Sequence, residues 1–344
     1  MKNFLITGGA GFIGSNFARM LYNKLPEAGI VVLDKLTYAG NLANLEGLLG
    51  SPRVTFVKGD ICDTKLVTKL LVKHGISHLV NFAAESHVDR SILGPRAFIK
   101  TNIEGVFSLL QAARTVWGAS KDVRFLHVST DEVYGSLGAG DPPFSEESPY
   151  RPNSPYSASK ASADHLVRAW HQTYGLPAII TNCSNNYGPR QFPEKLIPLV
   201  LLNALDGREL PVFGDGKQIR DWIHVQDHCE ALLAVLERGK AGQAYNIGGN
   251  NELTNLEVVQ MICDQVDRVT GNPPGTSRKL IRHVADRPGH DRRYAVDSSK
   301  LQGELGWRPR YRLDTFLPEL IQWYMDHKDW VDAVRTYEDS RPAL

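Results

Sequence analysis

Apolar residues in the first half of the chain follow two alternating patterns. Short, mainly apolar runs occur at 4–6, 30–33, 54–57, 78–82, 124–128 and 178–181. Between them, apolar positions recur every three or four residues, as at 66–74 and 106–113. Unbroken runs are typical of strands buried on both faces, and the wider spacing is typical of amphipathic helices. The alternation predicts an α/β fold with a doubly wound parallel sheet.

The second half of the chain has a different pattern, interrupted at short intervals by proline and glycine. Examples lie at 210–216 and 287–290. This punctuation predicts loops and short elements rather than further β-α units. We therefore expect one domain over 1–187 and a smaller C-terminal α+β region over 188–344. Because 224–248 again contains apolar runs, we expect that segment to return to the first domain.

Composition favours a soluble globular enzyme. The chain has 344 residues, of which 42% are hydrophobic, enough for a large core and about two domains. Its 39 basic and 38 acidic residues leave a net charge of +1, which gives no basic excess for nucleic acid. The first apolar run begins too early for a signal peptide, and no apolar stretch reaches membrane-spanning length.

The four cysteines do not form a metal-binding or disulfide pattern. They stand at 62, 183, 229 and 263, and no two of them form a C-x-x-C pair. We expect reduced, mostly buried thiols, no metal site and a cytoplasmic protein.

A glycine-rich turn follows the first predicted strand and precedes a predicted helix. Gly8, Gly11 and Gly14 form a G-x-x-G-x-x-G pattern, which differs from the commoner G-x-G-x-x-G fingerprint. Glycines allow a ligand close to the backbone, and a helix N-terminus offers free N–H groups to a pyrophosphate. Tight turns also need glycine for their own geometry. The order strand, turn, helix favours a dinucleotide site of the Rossmann type.

Asp34 indicates which dinucleotide would bind. It ends the second predicted strand about 20 residues beyond the glycines, where a carboxylate accepts hydrogen bonds from ribose hydroxyls. A carboxylate repels a 2′-phosphate, so NAD is favoured over NADP. The alternative is that Asp34 only caps the turn that follows it. Asp60, at the end of the third strand, has two interpretations: a position beside the adenine and a solvated turn residue.

Tyr156 and Lys160 are four residues apart and would project from one face of a helix. An ammonium group favours the phenolate, so we expect Lys160 to lower the pKa of Tyr156 towards the range of a useful base. Such pairs are common on helix surfaces. The catalytic interpretation gains support because Ser129 and Thr130 precede the pair at the end of a predicted strand.

Asp131 and Glu132 add acid/base groups that a simple dehydrogenase does not need. An adjacent acid and base would serve a further bond-breaking step. To act as an acid, Asp131 needs a raised pKa, and desolvation and the charge of Glu132 are the two available causes. Without other indications, such a dipeptide is most often a solvated helix N-terminus.

Several motifs together resemble the extended short-chain dehydrogenase/reductase family of nucleotide-sugar enzymes, and among them those that dehydrate a nucleotide-linked hexose. Besides the glycine turn and the Tyr/Lys pair, the resemblance rests on the segments 34–41, 81–91, 130–135, 182–189, 219–222 and 286–291. These segments span most of the chain. We find no departure at a position expected to take part in chemistry.

The resemblance implies a role for each catalytic residue. Tyr156 would take the proton of the sugar 4-hydroxyl while hydride leaves C4 for NAD, and Lys160 would stabilise the phenolate and hold the nicotinamide ribose. Thr130 would hydrogen-bond the oxygen at C4. Glu132 would remove the C5 proton of the resulting ketone, and Asp131 would protonate the departing 6-hydroxyl. Hydride would then return to C6.

The resemblance also implies the binding residues. The expected NAD contacts are Gly8, Gly11, Phe12, Ile13, Gly14, Asp34, Lys35, Leu36, Thr37, Asp60, Ile61, Phe82, Ala83, Ala84, Thr101, Tyr156, Lys160 and Asn186. The expected contacts of the substrate, dTDP-glucose, are Ser86, Thr130, Asn185, Lys195, Leu196, Pro211, Val212, Phe213, Arg220, Asn255, Asp286, Arg287 and His290.

Some alternatives remain open at this point. A 4-epimerase or a net dehydrogenase would use the same Tyr/Lys pair but would not need Asp131 and Glu132. A catalytically silent NAD-binding sensor would not need the intact set of Thr130, Tyr156 and Lys160. Thymidine and uridine are not distinguished, and neither are a cell-wall rhamnose route and a specialised deoxysugar route. The resemblance further implies a homodimer paired through helices around 96–116 and 156–174.

Overall fold

A computed structural model describes residues 2–286 and 288–339, with side chains to residue 335. Its strands are β1 Asn3–Thr7, β2 Gly29–Asp34, β3 Val54–Lys58, β4 His78–Asn81, β5 Arg124–Thr130, β6 Ala178–Cys183, β7 Asn185–Tyr187, β8 Leu210–Phe213, β9 Ile219–His224, β10 Ala244–Ile247, β11 Glu252–Thr254, β12 Ile281–Val284 and β13 Arg293–Tyr294. Its helices are α1 Phe12–Lys24, α2 Thr64–Lys73, α3 Val88–Leu93, α4 Pro95–Phe98, α5 Val106–Trp117, α6 Pro155–Tyr174, α7 Leu196–Leu205, α8 Val225–Arg238, α9 Asn255–Thr270, α10 Ser299–Leu305, α11 Leu313–Asp326 and α12 Lys328–Asp339.

Seven parallel strands form the main sheet, in the order β10-β6-β5-β4-β1-β2-β3. One face is covered by α1, α8 and α10, and the other by α2, α5 and α6. Both faces are buried, which is why the strands are apolar runs without alternation. The predicted doubly wound α/β fold is confirmed. The strand order of the sheet reverses between β1 and β4. Sheets of this kind bind ligands at that point, beyond the carboxyl ends of the strands.

A π-helical stretch, Ile99–Gly105, joins α4 to α5. Single turns of this kind often mark functional sites in helices. Here the stretch carries Asn102, whose amide group bonds both the N–H and the C=O of Glu85, at 2.9 and 3.0 Å, and the hydroxyl of Ser159 at 2.8 Å. The stretch therefore ties the loop after β4 to helix α6.

The remaining elements form a smaller region with its own core. Strands β7, β9, β11 and β13 form one sheet, and β8 pairs with β12. Helices α7, α9 and α11 pack together beside them. The expectation of loops and short elements here is wrong, because α9 has 16 residues and α11 has 14. Glycine and proline partly mark helix boundaries, as where Gly271 ends α9 in a left-handed conformation.

Two later segments pack with the main sheet. Strand β10 pairs with β6 at the sheet edge, and α8 packs against α1. This placement agrees with the expected return of 224–248. The core also includes Leu301, Leu305 and Trp307, a second return that the sequence analysis missed. The division into domains stays a prediction.

Within residues 2–286 and 288–339, we find no helix both long and apolar enough to cross a membrane. All four cysteines are free thiols, and three of them are buried.

Candidate active site

A large cleft opens at the carboxyl ends of the central strands. Its empty volume is about 1640 Å³, part of it open to solvent. It reaches from the glycine turn past β5 to the loop before α7.

The glycine turn packs tightly against itself and against the backbone after β4. Gly8 has a φ of +66°, and a Cβ there would lie 2.6 Å from the backbone nitrogen of Ala83. A Cβ on Gly14 would lie 2.4 Å from the Gly8 carbonyl oxygen. Helix α1 begins after Gly11, and no side chain caps it. Its uncapped N–H groups and the bare glycines fit a dinucleotide pyrophosphate.

Asp34 has the turn-capping role considered from the sequence and also lines the cleft. Its carboxylate lines the cleft, and it accepts hydrogen bonds from the N–H groups of Ala10, at 2.9 Å, and Leu36, at 2.8 Å. Burial raises the pKa of Asp34, and these two bonds lower it. The turn contacts thus hold the carboxylate in place at the cleft wall. Its contact with a ribose stays a prediction.

Lys35 lies beside Asp60, with 2.7 Å between Nζ and Oδ2. Of the residues expected to contact NAD, Leu36 does not line the cleft; it contributes the N–H group that holds Asp34. The other members of that set all line it: Gly8, Gly11, Phe12, Ile13, Gly14, Asp34, Lys35, Thr37, Asp60, Ile61, Phe82, Ala83, Ala84, Thr101, Tyr156, Lys160 and Asn186.

The five expected catalytic residues come from three neighbouring elements. Thr130 ends β5 and caps the short helix Asp131–Tyr134, because its hydroxyl oxygen accepts the N–H of Glu132 at 3.2 Å. Tyr156 and Lys160 lie one turn apart on α6, which begins at Pro155 with a capping box between Ser154 and Ser157. All five line the cleft. The caps explain why chain segments 25 residues apart present their side chains to one space.

Asp131 has the electrostatics of an acid. Its side chain is 2% exposed, and burial, then the charges of Glu132 and Asp221, raise its pKa well above the usual value. Its Oδ2 has no hydrogen-bond partner in the described part of the chain. The raised pKa predicted from the sequence is confirmed. A neutral carboxyl group can donate a proton to a leaving hydroxyl.

The pKa expected for Tyr156 is wrong. Burial raises the pKa of the phenol well above its usual value, and the charge of Glu132 raises it further. Burial outweighs any effect of Lys160, whose ammonium donates to the carbonyl of Val128 at 2.8 Å and whose own pKa burial lowers. The positive charge of an oxidised nicotinamide would act in the opposite direction and favour the phenolate.

Four of the expected substrate contacts line the cleft: Ser86, Thr130, Asn185 and Lys195. Lys195 donates to the Ser86 carbonyl at 3.1 Å, and its Nζ is 3.7 Å from Glu194. Those that do not line the main cleft are Leu196, Pro211, Val212, Phe213, Arg220, Asn255, Asp286 and His290. Arg287 lies outside the described residues.

Some of these outlying residues form a second cluster. The rings of Phe213 and His290 are 6.4 Å apart, and Nδ1 of His290 is 2.6 Å from Asp286. Arg220 is buried and donates to the carbonyl of Asp291 at 2.9 Å. Its charge also lowers the pKa of Asp131, against the larger effect of burial. Arg220 therefore connects this cluster to the catalytic end of the cleft.

Sequence reasoning missed several cleft residues. Glu85, Gln191, Phe192 and Glu194 all line it. Glu194 is nearly buried and lies 3.8 Å from both His87 and Arg90, so it anchors the loop before α7. No spacing in the sequence distinguishes these residues from ordinary loop positions.

Comparison with known proteins gives consistent results. The family model for GDP-mannose 4,6 dehydratase matches residues 5–320. A dTDP-glucose 4,6-dehydratase of Xanthomonas campestris pv. campestris is 56% identical over 340 residues, which are 97% of this chain and 96% of that protein.

Two solved structures have the same fold. The Streptomyces venezuelae dTDP-glucose 4,6-dehydratase with NAD bound has a TM-score of 0.89 and 47% identity, and the match covers 96% of this chain and 99% of that one. The Bacillus anthracis dTDP-glucose 4,6-dehydratase in complex with NAD has a TM-score of 0.87 and 44% identity, with coverages of 97% and 100%.

The sheet, the glycine turn and the Tyr/Lys pair define a dinucleotide-dependent enzyme with an additional acid/base pair at the same site. The chain belongs to the GDP-mannose 4,6 dehydratase family.

Proposed function

We propose that this protein is a hydro-lyase that converts dTDP-glucose to dTDP-4-keto-6-deoxyglucose with catalytic NAD, in deoxysugar biosynthesis. The observation that carries the proposal is the position of Asp131, a buried carboxyl with a raised pKa and an unpartnered oxygen, beside Glu132 and in one cleft with Tyr156. The relatives named dTDP-glucose 4,6-dehydratase support the substrate.

NAD, held along the glycine turn and Asp34, supplies the hydride acceptor and donor for the sugar. Tyr156 takes the proton of the 4-hydroxyl, and Lys160 stabilises the phenolate. Thr130 donates a hydrogen bond from its hydroxyl to the oxygen at C4. A ketone at C4 acidifies the hydrogen at C5.

The elimination uses the adjacent pair. Glu132 removes the C5 proton, and Asp131 gives its proton to the departing 6-hydroxyl. Asp131 is suited to the acid role because burial favours its protonated form, while Glu132 is half-buried and therefore better solvated. An epimerase would not need this pair.

Incubation with dTDP-glucose and, separately, with UDP-glucose tests the proposal by mass analysis. For this assay the dTDP-glucose carries deuterium at C4. We expect it to lose one water, and we expect the deuterium to appear at C6 of the product. Loss of the label to free NADH would indicate a net oxidoreductase. Inversion at C4 without loss of water would indicate an epimerase, and NAD binding without turnover would indicate a sensor.

We also propose a homodimer paired through α5 and α6. Phe107 of α5 is 43% exposed, and its ring packs on Trp170 of α6, which in turn contacts Tyr174, 44% exposed. Leu93 and Ile99, which shortly precede α5 in the chain, are also exposed, at 70% and 50%. Such a patch favours a protein partner.

The oligomeric state in solution tests this part. Phe107→Asp places a charge in the proposed interface and should shift the protein to monomer in analytical ultracentrifugation. Val269→Asp is the matched control, because Val269 is 37% exposed on α9. A Phe107→Asp protein that sediments as the wild type would contradict the proposed interface.

We also propose a cytoplasmic location, since free thiols are typical of that compartment.

A further inference from the structure

A buried pair of titratable residues lies behind the catalytic lysine. Asp164 follows Lys160 by one turn of α6, and His127 lies on β5. The side chains of Asp164 and His127 are 1% and 0% exposed. The mechanism proposed above uses neither of them. Burying two titratable groups is costly, so their positions call for a function.

One carboxylate oxygen of Asp164, Oδ2, has three hydrogen-bond donors, whereas Oδ1 has no hydrogen-bond partner in the described part of the chain. Its Oδ2 accepts the hydroxyl of Ser129 at 2.8 Å, the phenol of Tyr150 at 3.0 Å and the amide of Asn182 at 3.3 Å. Burial raises the pKa of Asp164 to about 6, while Lys160 and these donors lower it. The group is therefore mainly a carboxylate at neutral pH.

His127 lies between this carboxylate and Lys160. Its Nε2 is 3.5 Å from Oδ1 of Asp164 and 3.5 Å from Nζ of Lys160. Asn81 accepts the Thr7 hydroxyl with its oxygen at 2.5 Å, so its nitrogen faces Nδ1 of His127, at 3.1 Å. That hydrogen bond assigns the imidazole proton to Nε2, on the side of Asp164.

Lys160 needs a countercharge to remain an ammonium. Burial lowers its pKa, and the largest opposing effect is the charge of Asp164, followed by Cys183 of β6. Burial and Lys160 also lower the pKa of His127 well below its usual value, so the imidazole is neutral and adds no positive charge. The carbonyl of Val128 fixes Nζ at 2.8 Å.

We propose that Asp164 is a positioning residue for the reaction: it is the buried counter-ion that, across His127, keeps Lys160 charged and held at the cleft wall. The proposal rests on the proposed function, because Lys160 stabilises the Tyr156 phenolate only while it is cationic. Besides His127, Cys183 and Lys160, the titratable groups around Asp164 are Tyr134 and Tyr150 of the segment after β5. Both tyrosines are neutral, because burial raises their pKa values above the ordinary one.

The pH profile of water elimination from dTDP-glucose tests the proposal. In Asp164→Asn the cation loses its countercharge, so the alkaline limb should move down by about one to three pH units. Tyr150→Phe is the matched control, since it removes a donor to Asp164 but keeps the charge. In this control the alkaline limb should stay in place. Its acidic limb should also stay in place, because Lys160 is protonated in acid whether or not Asp164 is ionised.

The outcomes separate the two proposals. Wild-type protein that removes no water from dTDP-glucose contradicts the proposed function and not the role of Asp164. Folded Asp164→Asn with the wild-type alkaline limb overturns the role of Asp164. If Asp164→Asn does not fold, Asp164→Ser, which also removes the charge, takes its place, and a wild-type alkaline limb in that protein overturns the inference.

Discussion

Replacing Glu132 with glutamine separates the two chemical steps. The substitution keeps the size of the side chain and the backbone N–H that Thr130 accepts at 3.2 Å, so the local helix should persist. It removes the base proposed for C5. General base catalysis contributes about 10²–10⁴-fold, so elimination should slow by that factor, or by about 3–5 kcal/mol in barrier.

The structure also predicts a gain in the first step. The charge of Glu132 is the largest contribution after burial to the raised pKa of Tyr156. Without that charge the phenol ionises at lower pH. The acidic limb of hydride transfer should therefore shift to lower pH in Glu132→Gln, while elimination is lost.

Single-turnover mixing distinguishes these effects. Absorbance of reduced nicotinamide reports hydride transfer, and rapid-quench mass analysis reports loss of water. Reduced nicotinamide should accumulate in the variant. Glu147→Gln, on an exposed residue outside the cleft, is the control and should behave as the wild type. Wild-type elimination in Glu132→Gln, or loss of both steps together, would refute the assignment.

Two further predictions concern the frame of the site. Gly14→Ala should weaken NAD binding measured by calorimetry and lower the free energy of unfolding by about 1–3 kcal/mol, because the new Cβ would meet backbone atoms of the glycine turn. Gly303→Ala is the control and should do neither, because a Cβ there has nothing within 4 Å. Burial lowers the pKa of His224 to about 4, compared with about 6.5 in the unfolded chain. This histidine therefore costs the folded protein no stability above about pH 6.5, and the free energy of unfolding falls as the pH drops towards 4. His224→Phe should reduce that acid-induced loss by about 3 kcal/mol in urea unfolding at about pH 7 and pH 4.5; an equal loss in both proteins would contradict this.

The sequence by itself determined the sheet and the composition of its catalytic end. Strands buried on both faces must be continuous apolar runs, so the six runs of the first half gave strands β1 to β6 within about two residues. Residues at the carboxyl ends of parallel strands share one edge, and Gly8, Asp34 and Thr130 accordingly all line the cleft. Of the two largest causes that raise the pKa of Asp131, the charge of Glu132 follows from its neighbouring position in the sequence.

Only the tertiary structure decided what depends on contacts between distant segments. The pKa of Tyr156 depends on how deeply it is buried and on where the Lys160 ammonium lies, and neither follows from their spacing. The return of Leu301 to the first core and the role of Glu194 in the cleft loop likewise arise from packing across long sequence separations. Spacing along a chain fixes which face of an element a residue occupies, whereas its solvation and charge partners are set by the elements that pack against it.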